Sequence, residues 1–256
     1  DPVPHIGESE FKKQSVKKIY FYLKPNIQLF SQFSKTAFIS RYGNRLKTFA
    51  SKLLPYKSYS LLQNDELIKK YKIDEIKKDK KVILLFGRVS QYKGVNIYLK
   101  AIKYLIDDLK KQNLYFMLLG KPVHSFLFSE DEKNMMADFR DHFLHINDYL
   151  DVAELAAFIK KSDLIVCPYI EATQSGVIMT SYGLSKPVIA TNVGAFPEYV
   201  ISEDCLVEPN NHVNLALSIL SSTDFPIAEE SMYNLVRNNE LNNINIINFT
   251  NDLIYA

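Results

Sequence analysis

Short runs of consecutive apolar residues alternate with amphipathic stretches through most of this sequence, and this alternation limits the possible folds more than any other feature. Such runs are typical of strands that are buried on both faces of a parallel sheet. We therefore predict an α/β fold in which a doubly wound, Rossmann-like parallel sheet is covered by helices. The predicted strands are 82–86, 114–119, 142–146, 164–167, 187–191 and 206–207, and the predicted helices are 95–111, 151–160, 176–184 and 211–220, the last capped by Asn210 or Asn211.

The first part of the chain follows a different pattern. A polar, charged stretch at 64–81 separates it from the alternating region, and we interpret this stretch as a linker or a solvated helix. Before it, 35–40 and 58–62 are predicted to be short strands. The predicted division is a partial α/β domain at 1–75, a second domain at 76–225, and a helical segment at 226–256.

Composition and charge exclude several classes of protein. Hydrophobic residues make up 47% of the chain, which allows a sizeable core and excludes a disordered protein. A net charge of +2 argues against a dedicated nucleic-acid-binding protein. Cys167 and Cys205 lie in apolar runs and predict neither a disulfide nor a zinc site. Without an 18-residue apolar run or a signal-peptide pattern, we expect a cytoplasmic protein.

The loop after the first predicted strand carries residues that suit phosphate. Ligands of doubly wound sheets bind beyond the carboxyl ends of the strands, and this loop contains Gly87, Arg88, Lys93 and Gly94. The glycines allow close backbone approach, the two cations suit phosphate oxygens, and the amide groups of the following helix attract anions. The loop therefore predicts a diphosphate site, although an ordinary loop with two solvated cations would have the same sequence.

Two further loops follow later strands. After 164–167, the residues Thr173, Gln174, Ser175 and Gly176 stand at the predicted start of a helix. Their hydroxyl and amide groups could bind an anion or a sugar hydroxyl, or Ser175 could simply cap the helix. After 187–191, the residues Pro197 and Glu198 suit the first turn of another helix.

In their order, these motifs resemble the donor-binding half of the GT-B glycosyltransferases, and in particular the large retaining group often called family 4 (glycosyl transferases group 1). The motifs are FGRxxxxKG, a strand ending in CPY, SG, KPVIAT and VGAFPE, within about residues 80–225. The resemblance implies transfer of a hexose from a UDP- or GDP-type sugar to a glycan or lipid-linked acceptor in cell-surface polysaccharide synthesis. It also implies retention of configuration without metal or other cofactor, because basic residues and helix ends offset the charge of the departing diphosphate.

The resemblance also assigns roles to individual residues. Arg88 and Lys93 are expected to hold the diphosphate, and the turn of Ser175 and Gly176 to lie near the distal phosphate and the sugar. Gly120 and the stretch 145–150 match the region that receives the nucleotide base.

The chain departs from the family in one respect. Members of the family commonly have two glutamates, eight positions apart, on either side of the glycine of the SG motif. This chain has Thr173 and Ser181 at those positions, while Glu171 stands two residues too early. We expect the hydroxyl groups of Thr173 and Ser181 to bind sugar and ribose hydroxyls.

The first 75 residues resemble only the later part of the family's acceptor domain. His5 is a candidate catalytic residue that touches the transferred sugar, or else a structural histidine in a loop. The basic, aromatic segment 11–24 could rest on an anionic membrane surface, or form a partly buried helix with solvated lysines. The segment 226–256 is expected to pack back toward the amino-terminal domain.

Two other functions are compatible with the sequence. The incomplete acceptor domain and the absent glutamate pair are consistent with a truncated or degenerate GT-B protein that binds nucleotide sugar, or a partner, without turnover. A GT-B sugar-nucleotide epimerase is the third interpretation, although such enzymes use carboxylates and histidines that the sequence does not place in a cleft.

Overall fold

The computed structural model describes residues 26–174 and 176–224, and these ranges contain eight strands and eight α-helices. In chain order they are β1 (Ile27–Leu29), α1 (Gln32–Tyr42), β2 (Thr48–Ala50), α2 (Glu66–Lys70), α3 (Ile73–Asp79), β3 (Lys81–Phe86), α4 (Val95–Lys103), β4 (Leu114–Leu119), α5 (Glu130–Asp138), β5 (Phe143–Ile146), α6 (Val152–Lys161), β6 (Leu164–Cys167), α7 (Gly176–Gly183), β7 (Val188–Thr191), β8 (Leu206–Val207) and α8 (His212–Asp224).

Strands β3 to β8 form one parallel sheet in the order β5-β4-β3-β6-β7-β8, which confirms the predicted α/β fold. Both faces of the sheet are buried, because successive side chains of a strand point to opposite faces. Val82, Leu84 and Phe86 pack in a core that includes residues of α6 and α7. Ile83 and Leu85 pack in a second core with residues of α4, α5 and α8.

Side-chain caps explain where two of the predicted helices begin. Asp151 accepts the Glu154 amide hydrogen at 2.7 Å, and the Glu154 carboxylate accepts that of Asp151 at 2.9 Å, so that α6 starts with a reciprocal capping box. The Asn211 side chain accepts a hydrogen bond from the Asn214 amide at 2.9 Å, which confirms one of the two caps predicted for α8.

The two strands predicted before residue 64 are wrong. Residues 35–40 belong to α1, which begins because the Ser31 hydroxyl accepts the Ser34 amide hydrogen, and which buries Phe38. Residues 58–62 fall largely in the 3-10 turn Lys57–Leu61, where the Ser60 hydroxyl bonds the Lys57 carbonyl at 2.7 Å. The strands of this region are instead β1 and β2, which pair in parallel and have three residues each.

The polar stretch 64–81 is helical and packs on the sheet, so the linker interpretation is wrong and the helix interpretation is nearer to the structure. Ile68 of α2 and Ile73 of α3 are 1% and 0% exposed, in the same core as β3. Lys77 pairs with Asp163, whose other carboxylate oxygen accepts the Val82 amide hydrogen at 2.8 Å. The predicted domain boundary near residue 75 therefore falls inside α3.

One other prediction meets the structure only in part. The predicted helix 95–111 is α-helical to Lys103 and continues as a π-helical turn at Tyr104–Asp108. His5, the basic segment 11–24, and the segment 226–256 lie outside the described residues. Within the residues that are described, no helix has both the length and the hydropathy that crossing a membrane requires.

Replacing Ile73 with alanine tests whether α3 is part of the sheet core. Because the side chain is fully buried, we expect the free energy of unfolding, measured in urea, to fall by about 2–5 kcal/mol. The matched control is Lys78→Ala in the same helix, where the exposed side chain predicts a change within about 0.5 kcal/mol. Equal effects of the two substitutions would contradict a buried α3.

Candidate functional site

A cavity opens where the order of the strands reverses. From β3 the chain continues through β4 to β5 on one side, and β6 then starts on the other side of β3, a switch point where doubly wound sheets bind ligands. The cavity has a volume of about 370 Å³. Of the residues predicted for the site, Gly87, Lys93, Gln174 and Gly176 line it. A larger groove of about 1040 Å³ lies between α4 and α5, and none of the predicted residues lines it.

Lys93 is the charged centre of this cavity. Its side chain is 6% exposed, with Nζ 3.5 Å from the Phe86 carbonyl oxygen and 5.3 Å from the centre of the Tyr169 ring. The pKa of Lys93 is lowered to about 8, mainly by burial; the nearby Cys167 acts in the opposite direction, and Arg88 contributes to the lowering. The ammonium group is therefore poorly compensated, and an anionic ligand beside it would raise its pKa.

Three glycines bring the loops at this edge of the sheet into backbone contact. A Cβ atom would meet the Pro168 carbonyl oxygen at 1.8 Å on Gly94 and the Gly87 carbonyl oxygen at 2.1 Å on Gly120. Gly194 has the same relation to the Ala172 carbonyl oxygen, at 1.6 Å. Gly94 and Gly120 also have φ angles of +65° and +143°, which side chains disfavour. These glycines interlock the loops that follow β3, β4, β6 and β7.

The residues predicted for the site in α7 and in the loop before it lie in two different environments. Gln174 and Gly176 are exposed and line the cavity, whereas Ser175 lies outside the described residues. Thr173 is 5% exposed and its hydroxyl has no hydrogen-bond partner in the described part of the chain. Ser181 is fully buried and its hydroxyl donates to the Val177 carbonyl at 2.8 Å, so that the hydroxyl is engaged inside α7.

The structure adds cavity residues that the sequence did not indicate. Glu171, left out of the predicted set because it stands two residues early, lines the cavity. Tyr56 does so from the first part of the chain, and Thr180 lines it one residue before the predicted Ser181. No motif marks Tyr56 or Thr180, since only the packing of distant segments brings them to the cavity.

Arg88 and the region predicted to receive a base lie outside the cavity lining. Arg88 is exposed in the loop after β3. In β5, the half-buried His145 stacks edge-on against Phe128 at 5.3 Å between ring centres, and burial lowers the pKa of the imidazole. Among the residues that the structure describes, no group of three or more His, Cys, Asp or Glu side chains is placed to hold a metal ion.

The amino-terminal segment is tied to the loops of this site. Glu198 lies in the short 3-10 turn Phe196–Glu198, and its carboxylate accepts the amide hydrogens of Gln32 and Phe33 at 2.8 and 2.7 Å, which completes the first turn of α1. The Ser34 and Ser31 hydroxyls donate to the Thr173 carbonyl at 2.8 and 3.3 Å. Helix α1 therefore positions the loop that precedes α7.

A sequence profile for the family described as Glycosyl transferases group 1 matches residues 80–223, more than half of the chain. The chain is 30% identical, over 135 residues, to an uncharacterized 41.2 kDa protein in the cps region of Klebsiella pneumoniae, covering 53% of this chain and 34% of that protein. It is 27% identical, over 108 residues, to the GDP-mannose:glycolipid 4-beta-D-mannosyltransferase of Xanthomonas campestris, covering 42% and 29%.

Among solved structures, HepE of Anabaena in complex with UDP matches with a TM-score of 0.69 and 18% identity, covering 93% of this chain and 66% of that one. The fold is therefore that of GT-B glycosyltransferase structures. The chain spans about a third of the length of the curated relatives that it matches.

Replacing Lys93 with methionine tests the cost of the buried ammonium. Because the pKa of Lys93 is lower in the folded state than in the unfolded state, its buried charge reduces the free energy of unfolding. This loss is fully present below pH 8, shrinks as the pH rises from 8 to the ordinary pKa of 10.5, and is absent above pH 10.5. Methionine fills a similar volume without charge, so we expect the unliganded variant to be more stable at pH 7 by up to about 3 kcal/mol, with less advantage at pH 10.

Urea unfolding at the two pH values measures this difference. The control is Lys100→Met at an exposed position on α4, where we expect no increase in the free energy of unfolding at either pH. A Lys93→Met variant that is less stable than the parent at pH 7 would contradict the assignment.

Proposed function

This chain belongs to the group 1 glycosyl transferases, and on that premise we propose that it transfers a hexose from a UDP- or GDP-type sugar to a glycan or lipid-linked acceptor. The observation that carries the proposal is the cavity at the switch point, where the buried Lys93 and the amino end of α7 face one space. Two similar proteins support the substrates: the Xanthomonas enzyme is a GDP-mannose:glycolipid mannosyltransferase, and the HepE structure holds UDP.

The setting that we propose is cell-surface polysaccharide synthesis on the cytoplasmic side of a membrane. The Klebsiella relative, described as lying in the cps region, and the glycolipid acceptor of the Xanthomonas enzyme support it. Peripheral contact with an anionic membrane would come from the basic segment 11–24, which lies outside the described residues.

The proposed chemical role of the site is to stabilise the departing diphosphate. As the bond between the sugar and the phosphate breaks, negative charge grows on the phosphate oxygens. Lys93 stabilises that charge from a buried position, where Coulomb interactions are stronger than in water. Arg88 and the amide groups at the start of α7 contribute to the same stabilisation. We propose that these groups take the place of a metal ion, and that the transfer retains the anomeric configuration, as the family resemblance implies.

A second candidate function is binding without turnover. It is favoured by one observation: Thr173 and Ser181 stand where the family has carboxylates, and the Ser181 hydroxyl is engaged inside α7. Against it, Glu171 lines the cavity. Release of nucleoside diphosphate from a nucleotide sugar by this chain, with an acceptor present, would decide in favour of the enzyme.

Titration calorimetry with UDP and GDP tests the donor site. We expect at least one of the two to bind, and its affinity to fall about 10-fold or more in each of Arg88→Ala and Lys93→Ala, because each removes a charged hydrogen-bond donor to phosphate. Lys100→Ala is the control, since this exposed lysine lies outside the cavity. Binding that is unchanged in the Arg88→Ala, Lys93→Ala double variant would exclude the proposed site.

Chelation and product analysis test the proposed mechanism. Turnover should be insensitive to EDTA, because protein cations offset the charge of the leaving group. The product's anomeric configuration, read by NMR, should equal that of the donor. A loss of turnover in EDTA that Mg²⁺ restores would contradict metal independence, and an inverted anomer would contradict retention.

A further inference from the structure

Tyr56 lines the cavity at the switch point although it belongs to the first part of the chain. It precedes the 3-10 turn Lys57–Leu61 and lies outside the range 80–223 that the family profile matches. Its side chain is 37% exposed and shares the cavity with Lys93, Gln174 and Gly176. A large aromatic ring is therefore presented to the space that the proposed function gives to the donor.

The packing of Tyr56 on α7 fixes its position. Its amide group donates a hydrogen bond to the Met179 carbonyl at 3.2 Å. A Cβ atom on Gly183 would lie 2.7 Å from the carbonyl carbon and oxygen of Tyr56, so only glycine permits this approach of the two backbones. The Tyr56 and Tyr59 rings are in contact, with centres 5.7 Å apart. The side chain is thus preorganised, and a ligand need not order it.

The location of Tyr56 indicates which part of a donor it would meet. Its hydroxyl lies 4.0 Å from the point where a Cβ atom on Gly176 would be, so the side chain stands over the amino end of α7. Lys93 and Gly87 mark the proposed place of the diphosphate, and β4 and β5, on the other side of β3, end in the region matched to the base. The hexose is attached to the opposite end of the diphosphate from the base, so it would lie beside the connection between β6 and α7.

We propose that Tyr56 contacts the hexose of the donor and contributes to the choice between hexoses. The ring face can pack against the C–H groups of a pyranose, and the phenol can exchange hydrogen bonds with a sugar hydroxyl. Glu171 and Gln174 supply polar groups in the same cavity. This inference rests on the proposed function, and it deepens that function by assigning sugar recognition to a residue outside the family-matched range.

Calorimetry on the whole 256-residue chain tests the inference with UDP, UDP-glucose, UDP-galactose, GDP and GDP-mannose as probes. In Tyr56→Ala we expect the affinity for the bound nucleotide sugar to fall about 5- to 10-fold, while the affinity for the matching free diphosphate changes less than 2-fold. Tyr56→Phe keeps the ring and should lose less affinity than Tyr56→Ala. It should still change the ratio of the affinities for UDP-glucose and UDP-galactose or, if the chain binds GDP-mannose, the affinity for that sugar nucleotide. Leu61→Ala, an exposed position on the same turn, is the matched control.

Each result separates the inference from the proposed function. Equal losses for the nucleotide sugar and the free diphosphate would show that Tyr56 only supports the start of α7, and no loss would show that it makes no contact; either overturns the inference while the donor site stands. If neither UDP nor GDP binds the parent chain, the proposed function and this inference fail together. Should thermal unfolding show that Tyr56→Ala does not fold, the selectivity of Tyr56→Phe decides.

Discussion

The structure of the site depends on direct contact between backbones at the carboxyl edge of the sheet. At Gly94, Gly120 and Gly194 a neighbouring loop's carbonyl oxygen occupies the space that a side chain would need. Such contacts bring four loops together without side chains between them. The strands fix where the loops begin, and these glycines fix how the loops meet.

Lys93 lies buried among these loops, directly before Gly94. Its ammonium group lies near the Phe86 carbonyl and the Tyr169 ring, and burial is the main cause that lowers its pKa to about 8. A buried charge of this kind reduces stability in the unliganded protein. A buried, poorly compensated charge at the switch point is the pattern expected of a group that serves a ligand rather than the fold.

Much of the sheet could be predicted from the sequence, because six apolar runs with helical stretches between them leave few alternatives to a parallel α/β fold. The misassigned strands at 35–40 and 58–62 show the limit of local patterns: α1 begins at the Ser31 cap and is completed by Glu198, which is 166 residues from Gln32. The predicted site residues Gly87, Lys93, Gln174 and Gly176 line the cavity because they lie in the connections that follow β3 and β6. Tyr56 reaches it through tertiary packing, which no local signal reveals.

Hydrogen bonds between α1 and the loops that follow β6 and β7 indicate how much of the chain the site requires. Glu198 accepts two amide hydrogens from the first turn of α1, and two serine hydroxyls of the same region hold the Thr173 carbonyl. The Lys52 ammonium group donates to the Glu198 carbonyl at 2.7 Å. Glu198, inside the family-matched range, thus completes the start of α1, while Ser31 and Ser34, outside that range, fix the loop before α7, and Tyr56 lines the cavity. The cavity at the switch point, which we propose as the donor site, is therefore formed by both parts of the chain, and we expect changes in the segment 30–62 to alter donor binding without changing the sheet.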